Sequence, residues 1–295
     1  MIEAERLAAT LGRDRPVLIA GPTASGKSAL ALRLAQTQGR TIVNADALQV
    51  WSCWRVLTAR PDAGEEARAP HRLYGHVAPG SDYSVGHWLR EVAALLREDP
   101  APVIVGGTGL YLSALTEGLA EIPPVPPAIR AEADARLRNE GAGALLAELD
   151  AATAARIDRR NPARIQRAWE VLRATGRGLA LWQEATAAPL VPLAEAQALV
   201  IEAPPAWLNP RIDARFDAML QGGALDEARA VLPVWQASAP WTRAIGAPEL
   251  VAHLQGAMTL PEAAAAAKTA SHQYAKRQRT WFRNRLSGWR RLAAA

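Results

Sequence analysis

The sequence predicts an α/β fold: a parallel sheet of the P-loop NTPase type, flanked by helices and carrying an all-helical insertion. Three observations indicate this fold. Short apolar strand-like runs alternate with helical patterns, which is typical of a parallel sheet wrapped by helices. A glycine-rich loop with the spacing of a phosphate-binding loop follows the first run. A long segment without any strand-like run then interrupts the alternation.

The strand-like runs are short, and polar or glycine-rich segments bound them. The first spans residues 16–20, and a helical pattern marked by Leu30 and Leu34 follows the glycine loop. Further runs lie at residues 41–44, 102–105 and 198–203. Ligands of parallel sheets bind at the carboxyl ends of the strands. We therefore expect the glycine loop, Asp46 and Thr108 to converge.

A proline-rich segment separates the two parts of the chain. Residues 122–127 read Ile-Pro-Pro-Val-Pro-Pro, which can form neither a helix nor an interior strand. Residues 128 to 187 look helical throughout, and Asn161 followed by Pro162 is a good helix start. The sequence thus predicts a core domain of residues 1–121 and 189–295, with a helical insertion domain of residues 122–188.

Bulk composition excludes several classes of protein. The 295 residues are 49% hydrophobic and 21% charged, as in a soluble globular protein. No window approaches the roughly 18 consecutive apolar residues of a membrane span, and the first residues lack the apolar core of a signal peptide. Cys53 is the one cysteine, so the chain can form neither an internal disulfide nor a cysteine metal cluster. We expect a cytoplasmic protein without membrane association.

Basic residues are concentrated in two stretches. The net charge is +5, and only Lys27, Lys268 and Lys276 of the 34 basic residues are lysine. Seven arginines lie between Arg156 and Arg177, and from Lys268 to the end there are eight basic residues and no acidic one. Each stretch fits either a polyanionic partner or an ordinary solvated face.

Residues 21–28 have the complete spacing of a phosphate-binding loop. The loop comprises Gly21, Pro22, Thr23, Ala24, Ser25, Gly26, Lys27 and Ser28. Its glycines let backbone N–H groups surround phosphate oxygens, and the following helix adds its positive end. Lys27 would neutralise phosphate charge, and the Ser28 hydroxyl would help to hold Mg²⁺. The loop predicts a substrate with a diphosphate or triphosphate but does not select a reaction.

The usual magnesium-binding aspartate of kinases and ATPases is missing from the third strand. In those enzymes a second apolar strand commonly ends in such an acid. Here residues 103–105 lead instead into Gly106-Gly107-Thr108-Gly109. Asp46 is the acid at a strand end, where it could be a magnesium ligand, a general base or a turn cap.

Separated segments along the chain resemble tRNA dimethylallyltransferases of the bacterial type. The resemblance covers about residues 16 to 285. The following segments carry it in order: residues 21–28, 44–50 (Asn-Ala-Asp-Ala-Leu-Gln-Val), 58–61 (Thr-Ala-Arg-Pro), 70–73 (Pro-His-Arg-Leu), 83–85, 105–111 (Val-Gly-Gly-Thr-Gly-Leu-Tyr), 161–171, 175–176, 215–216 with 219–220, 244–246, and 274–278 with 280–283. The ordered succession of these segments is more specific than any segment except the loop.

The resemblance implies transfer of a dimethylallyl group from dimethylallyl diphosphate to N6 of adenosine 37 in tRNA, next to the anticodon. Diphosphate is the leaving group, and Mg²⁺ is the expected cofactor. The implied catalytic residues are Asp46 as the base, together with Lys27, Thr23 and Arg215. Arg211, one helical turn before Arg215, is a further candidate for the diphosphate, with a surface position as the alternative.

The resemblance also implies contacts with the anticodon stem-loop. The candidate positions are Asp46, Ala47, Leu48, Gln49, Thr108, Arg130, Ala163, Arg164, Ile165, Gln166, Arg167, Arg243 and Gly246. The basic end, with Tyr274, Trp281 and Trp289, would lie along the RNA, with core packing as the alternative for these aromatic residues. A monomer suffices for this chemistry.

Several residues depart from the family pattern. Ala47 stands where serine is usual, Trp51 replaces tyrosine, and Tyr74-Gly75 and Ala247-Pro248 replace other pairs. Three other functions remain as alternatives: a dimethylallyltransferase acting on free AMP, ADP or ATP, a P-loop small-molecule kinase, and an RNA-binding protein without catalysis. The basic stretch of residues 156–177 disfavours a transferase that acts on free nucleotides, and the missing strand-end acid disfavours a kinase. The intact Lys27, Ser28 and Asp46 disfavour an RNA-binding protein without catalysis.

Overall fold

A six-stranded, entirely parallel sheet forms the centre of the computed structural model, which describes residues 2–294 and, at the amino terminus, side chains from Arg6 onward. The strands, in chain order, are β1 (Val17–Ala20), β2 (Ile42–Asn44), β3 (His71–Arg72), β4 (Val103–Gly106), β5 (Gln197–Glu202) and β6 (Arg290–Ala293), and their spatial order is β3-β2-β4-β1-β5-β6. The predicted P-loop type of α/β fold is confirmed. The polar edge strands β3 and β6 were not predicted.

Burial on both faces explains why the central strands are continuously apolar. Every residue of β1 and β4 is buried, and Val17 pairs with Val103 in parallel register. Alternate residues of β1 enter two different clusters, with Val17 and Ile19 on one face and Leu18 and Ala20 on the other. The sheet is thus covered by helices on both sides.

The first compact unit comprises Met1–Thr116 and Leu190–Ala295. Its helices are α1 (Ile2–Thr10), α2 (Lys27–Gln38), α3 (Ala63–Arg68), α4 (Val85–Glu98), α5 (Gly109–Glu117), α11 (Pro205–Gln221), α12 (Ala224–Val231), α13 (Ala247–Leu254) and α14 (Leu260–Arg285). The 26-residue helix α14 begins at a capping box between Thr259 and Glu262. A further hydrophobic cluster, separate from the two at the sheet, surrounds the buried Trp54 and Trp241 and includes residues of α12, α13 and the start of α14.

The second compact unit, Glu117–Pro189, contains no strand among its described residues. Its helices after α5 are α6 (Pro127–Asn139), α7 (Ala142–Ala147), α8 (Ala151–Arg156), α9 (Pro162–Thr175) and α10 (Leu179–Glu184). Asn161 caps α9 by accepting the N–H of Arg164, and Gly176 ends it in the left-handed conformation. Ala133, Leu145, Ile165 and Trp169 form its core.

None of the described helices is both long enough and apolar enough to cross a lipid bilayer.

Candidate active site at the carboxyl ends of the strands

The glycine loop curls between β1 and the first turn of α2. Ala24 and Gly26 have positive φ angles of 60° and 85°, which turn the loop back on itself. A Cβ atom on Gly21 would lie 2.6 Å from the Ser25 hydroxyl, so the loop closes tightly only with glycine there. Lys27 begins α2, and its ammonium group donates to the carbonyl oxygen of Pro22 at 3.4 Å. The loop therefore has the form of an anion cradle.

Asp46, just after β2, has one carboxylate oxygen in a turn and the other facing the loop after β4. Its Oδ1 accepts the N–H of Leu48 at 3.0 Å, while its own N–H donates to Asn44 Oδ1 at 2.9 Å. A Cβ atom on Gly107 would lie 3.1 Å from Asp46 Oδ2. The turn thus fixes the carboxyl group through Oδ1 and leaves Oδ2 for chemistry.

The glycine-rich segment after β4 lies directly on the segment after β2. A side chain at Gly106 would overlap the carbonyl group of Ala45, which itself accepts the N–H of Thr108 at 3.3 Å. The Thr108 hydroxyl accepts the N–H of Ala47 at 2.9 Å. Backbone contacts thus hold these two strand ends, and with them Asp46, in one position.

Two cavities meet at Lys27, Ser28 and Arg215. The smaller, of about 80 Å³, is also lined by Thr23, Asp46, Tyr274 and Gln278 and by an apolar wall that includes Leu57, Ile212, Phe216, Met219 and Ile245. The larger, of about 550 Å³, is also lined by Arg60, Glu65, His71, Tyr74 and Arg211. The smaller cavity therefore combines a carboxylate, two cations and an apolar wall.

Burial shifts the titration of both shared cations. It lowers the pKa of Lys27 to about 8, although the negative charge of Asp46 opposes this shift and the positive charge of Arg215 adds to it. Burial also lowers the pKa of Arg215, and here Asp46 and Glu65 oppose the shift. Two desolvated cations side by side favour the binding of a polyanion between them.

Several predicted residues come together at this site. Three loop residues line the smaller cavity: Thr23, Lys27 and Ser28. Four predicted residues from elsewhere join them there: Asp46, Leu48, Gln49 and Arg215. The larger cavity is lined by the loop residues Ala24, Ser25 and Gly26 and, from α11, by Arg211. Gln49 donates to the carbonyl oxygens of Thr58 and Ala59, both at 2.9 Å. Arg243 is exposed at the end of a short 3-10 helix, outside both cavity linings.

The structure buries two predicted RNA-contact positions, Ile165 and Gly246, and it places Trp289 in the core, which was the alternative to an RNA contact. Ile165 is 1% exposed and packs in the core of the second unit, since helical periodicity turns it away from Arg164 and Arg167. Gly246 is buried, and a Cβ atom there would meet Phe216 at 2.7 Å. Trp289 is 4% exposed in the core beside the sheet, so it cannot stack on a base.

Two other aromatic residues of the basic end are packed within the first unit, which was the alternative given for them. Tyr274 lines the smaller cavity, where burial and the charge of Asp46 raise the pKa of its phenol. Trp281 is half-buried, and a Cβ atom on Gly109 would overlap its ring. Both side chains thus belong to the surroundings of the site.

The remaining candidates on the second unit are mostly exposed. Arg130, Ala163, Arg164 and Arg167 are open to solvent. Gln166 donates to Asp134 at 2.8 Å and to Glu170 at 3.0 Å, and Arg167 lies 3.6 Å from Glu170. The exposed face of α9 therefore carries Arg164 and Arg167, and Arg167 forms an ion pair with the buried Glu170.

Sequence reasoning missed Gln278 as a site residue. Its side chain is 5% exposed and contacts both the glycine loop and the segment after β4. No local pattern could have found it, because its partners lie 255 and 171 positions earlier in the chain.

Two family models match the sequence. The IPP transferase model covers residues 49–285, and the isopentenyl transferase model covers residues 15–76. A tRNA dimethylallyltransferase of Cereibacter sphaeroides is 69% identical over 279 residues, which cover 95% of this chain and 89% of that protein. A tRNA dimethylallyltransferase of Paracoccus denitrificans is 60% identical over 288 residues, which cover 96% and 95% of the two chains.

Solved structures resemble the fold over almost all of the chain. A full-length tRNA isopentenylpyrophosphate transferase from Bacillus halodurans superposes with a TM-score of 0.68 at 29% identity, covering 95% of this chain and 90% of the other. A eukaryotic dimethylallyltransferase described as acting on tRNA superposes with a TM-score of 0.81 at 24% identity, covering 95% and 74%. The second likeness concerns the fold alone.

Proposed function

Since this chain belongs to the IPP transferase family, we propose that it transfers a dimethylallyl group from dimethylallyl diphosphate to N6 of adenosine 37 in tRNA, releasing diphosphate. The observation that carries the proposal is that one small cavity holds both an anion cradle and a carboxylate. Lys27, Ser28 and Arg215 line that cavity together with Asp46. A diphosphate leaving group and a nucleophile that must lose a proton need these two elements side by side.

In the proposed reaction Asp46 and the anion cradle have different roles. The bond between C1 of the donor and its bridging diphosphate oxygen breaks, and a bond forms between C1 and N6 of adenine. Asp46 accepts the proton that N6 loses, because the exocyclic amine is a poor nucleophile while its lone pair is delocalised into the ring. Lys27, Arg215 and the N–H groups of the loop, with the hydroxyl of Thr23, stabilise the charge on the departing diphosphate.

The apolar wall of the smaller cavity fits the hydrocarbon part of the donor. Leu57, Phe216 and Met219 lie in the same lining as Asp46. An apolar surface in the same lining as the cations and the carboxylate accommodates the five carbons and excludes water from the reacting carbon.

Mg²⁺ is the proposed cofactor, and the residues present fit it. Ser28 is exposed on the first turn of α2 and lines both cavities. No group of three or more His, Cys, Asp or Glu side chains among the described residues could hold a metal by itself. This donor set suits an ion that is held by one hydroxyl and the diphosphate and keeps several waters. When bound, Mg²⁺ supplies Lewis-acid stabilisation of the leaving group.

We assign the exposed face of α9 to the anticodon stem-loop. Arg164 and Arg167 lie on that face, and Arg130 is a further exposed candidate. Adenosine 37 must leave its stack to reach a cavity, and unpaired loops are where proteins can read splayed RNA bases. A monomer suffices for this chemistry, and we propose that the protein acts on tRNA as a monomer in the cytoplasm.

The test supplies purified protein with dimethylallyl diphosphate, Mg²⁺ and either unmodified tRNA, tRNA with guanosine at position 37, AMP or ATP. Diphosphate release and prenylated adenosine are both measured. Release only with adenosine at position 37 supports the proposal. Turnover of AMP would assign the chain to free nucleotides, and ATP hydrolysis without prenyl transfer would make it an ordinary P-loop phosphotransferase.

A further inference from the structure

Gln278 is a buried amide between the two halves of the proposed site. Its side chain is 5% exposed, and it projects from α14 into the lining of the smaller cavity. A buried amide has two donors and an acceptor to satisfy, so its partners reveal what it holds.

Each end of the amide bonds to a different loop. Gln278 Oε1 accepts the backbone N–H of Thr23 at 2.9 Å, inside the glycine loop. Gln278 Nε2 donates to the carbonyl oxygen of Gly107 at 2.9 Å, in the segment after β4. This pair of partners also fixes the orientation of the amide, because the opposite orientation would place NH₂ against N–H and oxygen against oxygen.

The loop on the acceptor side continues to the proposed base. A side chain on Gly107 would overlap Gln278 Nε2 and crowd Asp46 Oδ2. Thr108, the next residue, accepts the N–H of Ala47. The side chains of Thr108 and Gln278 also both interact with the phenol of Tyr274, where they oppose the rise of its pKa that burial causes. The amide of Gln278 therefore holds the segment after β4 at the point where that segment lies beside the Asp46 carboxylate.

We propose that Gln278 is a positioning residue that sets the distance between the diphosphate cradle and the proton-accepting carboxylate. Each loop has its own local hydrogen bonds, so each can bind its ligand without the other. Displacement along a C–O bond, however, needs the nucleophile and the leaving group in line, and a misplacement of about 1 Å can cost about 100-fold in rate. This inference rests on the proposed function, in which the two loops serve two different reactants.

Three variants separate positioning from general structure. Gln278→Leu removes both hydrogen bonds at similar volume. Gln278→Glu keeps the acceptor for Thr23 but, when ionised, loses the donor to Gly107. Gln273→Leu is the matched control, because Gln273 is an exposed residue of the same helix. Circular dichroism and thermal melting check that each variant is folded.

The first measurement is single-turnover transfer at saturating tRNA and donor, beside equilibrium binding of tRNA and of pyrophosphate. For Gln278→Leu we expect the rate constant to fall about 100-fold while both dissociation constants stay within about threefold of wild type. Gln273→Leu should behave as wild type. A Gln278→Leu rate constant within about threefold of wild type would overturn the proposal.

Gln278→Glu adds a second measurement, the pH dependence of the transfer rate, which should not change if Gln278 only stabilises the fold. A protonated carboxyl group can accept from Thr23 and donate to Gly107 as the amide does. Burial and the negative charge of Asp46 raise the pKa of such a group, whereas the positive charges of Lys27 and Arg215 in the same lining oppose that rise and the phenol of Tyr274 adds no charge. The rate of Gln278→Glu relative to wild type should therefore rise as the pH falls from about 8 to about 6. A ratio that does not change over this range would contradict the proposal, even if Gln278→Leu is too unstable to assay.

Amide hydrogen exchange tests the linkage without any catalysis. In the wild type without ligand, peptides covering residues 21–28 and 106–109 should both be protected, and Gln278→Leu should lose protection in both at once. Gln273→Leu should lose it in neither. If the wild type transferred no prenyl group but this joint loss occurred, the proposed function would be wrong while the linkage held. Loss in only one peptide would show that Gln278 does not connect the loops.

Discussion

The hydroxyl of Thr108 accepts the backbone N–H of Ala47 at 2.9 Å. Because the donor is a backbone group, the contact does not depend on the side chain at position 47. Thr108 follows β4 and Ala47 follows β2, and these two strands are neighbours in the sheet. The contact thus joins two strand ends and holds the turn that carries Asp46.

Removal of the Thr108 hydroxyl should slow transfer. Thr108→Val keeps the shape but leaves the N–H of Ala47 without its acceptor, which costs about 1–3 kcal/mol when the group stays buried. We expect single-turnover transfer to fall about 10- to 100-fold as the Asp46 turn shifts. Thr116→Val is the control, because that hydroxyl donates to Leu112 within α5, away from the site. Equal rates for the two variants would contradict the role of Thr108.

Asp46→Asn should abolish proton acceptance and preserve the fold of the turn, because an amide oxygen can still accept the N–H of Leu48. We expect the transfer rate to fall about 10²- to 10⁴-fold with tRNA affinity nearly unchanged. Pyrophosphate should bind at least as tightly as to wild type, since a negative charge beside Lys27 is gone. A transfer rate within about tenfold of wild type would remove the role of Asp46 as the base.

The central strands could be predicted because their sequences carry the signal themselves. Strands β1, β2 and β4 are buried on both faces, so their sequences are apolar runs. The edge strand β3 has two polar residues and β6 reads Arg-Arg-Leu-Ala. Neither has a local pattern, because tertiary pairing alone makes these residues strands.

Residues near the strand ends could be predicted as site candidates from the sheet topology, whereas the place of Tyr274 and Gln278 in the cavity could not. Parallel topology alone brings the glycine loop, Asp46 and Thr108 to one edge of the sheet. Tyr274 and Gln278 reach the same cavity from a helix whose sequence reads as a basic surface. Ile165, by contrast, was predicted to contact RNA but is buried. A sequence segment that spans whole turns of α9 includes residues of the buried face of the helix as well as the exposed ones.

Donor binding should weaken as the pH rises through about 8, the pKa of Lys27. The diphosphate binds the ammonium form of Lys27, and binding therefore raises the pKa of Lys27 in the complex. The affinity for the donor is greatest below the pKa of the free protein, and it falls as the pH rises from that value to the pKa of the complex. The last ionisation of a phosphate group, with a pKa of about 6, lies below this range, so the charge of the donor changes little near pH 8. The check is calorimetry at pH 7 to 9.5 in buffers of different ionisation enthalpy, which should show proton uptake on binding near pH 8.5.

Lys27→Met provides the control for that titration. It should bind the donor weakly and without pH dependence between pH 7 and 9.5. A wild-type affinity that stays constant over the same range would mean that Lys27 does not titrate there or does not contact the diphosphate.

Arg167→Ala should weaken tRNA binding and reduce its dependence on salt. The side chain of Arg167 is 44% exposed on α9, and one lost phosphate contact lowers the slope of log K against log[salt] by about 0.7–0.9. Arg229→Ala is the matched control, with a side chain that is 56% exposed and paired to Asp226 in the first unit. If filter binding between 50 and 200 mM salt gave the same slope for both variants, Arg167 would not contact a phosphate.

Gly106→Ala should destabilise the protein, and Gly143→Ala should stabilise it. A Cβ atom at Gly106 overlaps the carbonyl group of Ala45, and that residue cannot retreat because its N–H donates to Val105 at 2.8 Å. We expect the free energy of unfolding to fall by about 2–4 kcal/mol, with loss of transfer as the Asp46 turn moves. Gly143 is exposed inside α7 with open space around it, so alanine there should add about 0.5–1 kcal/mol. Urea unfolding midpoints check both signs, and equal midpoints would show that β2 and β4 are not packed as tightly at Gly106 as the backbone contact implies.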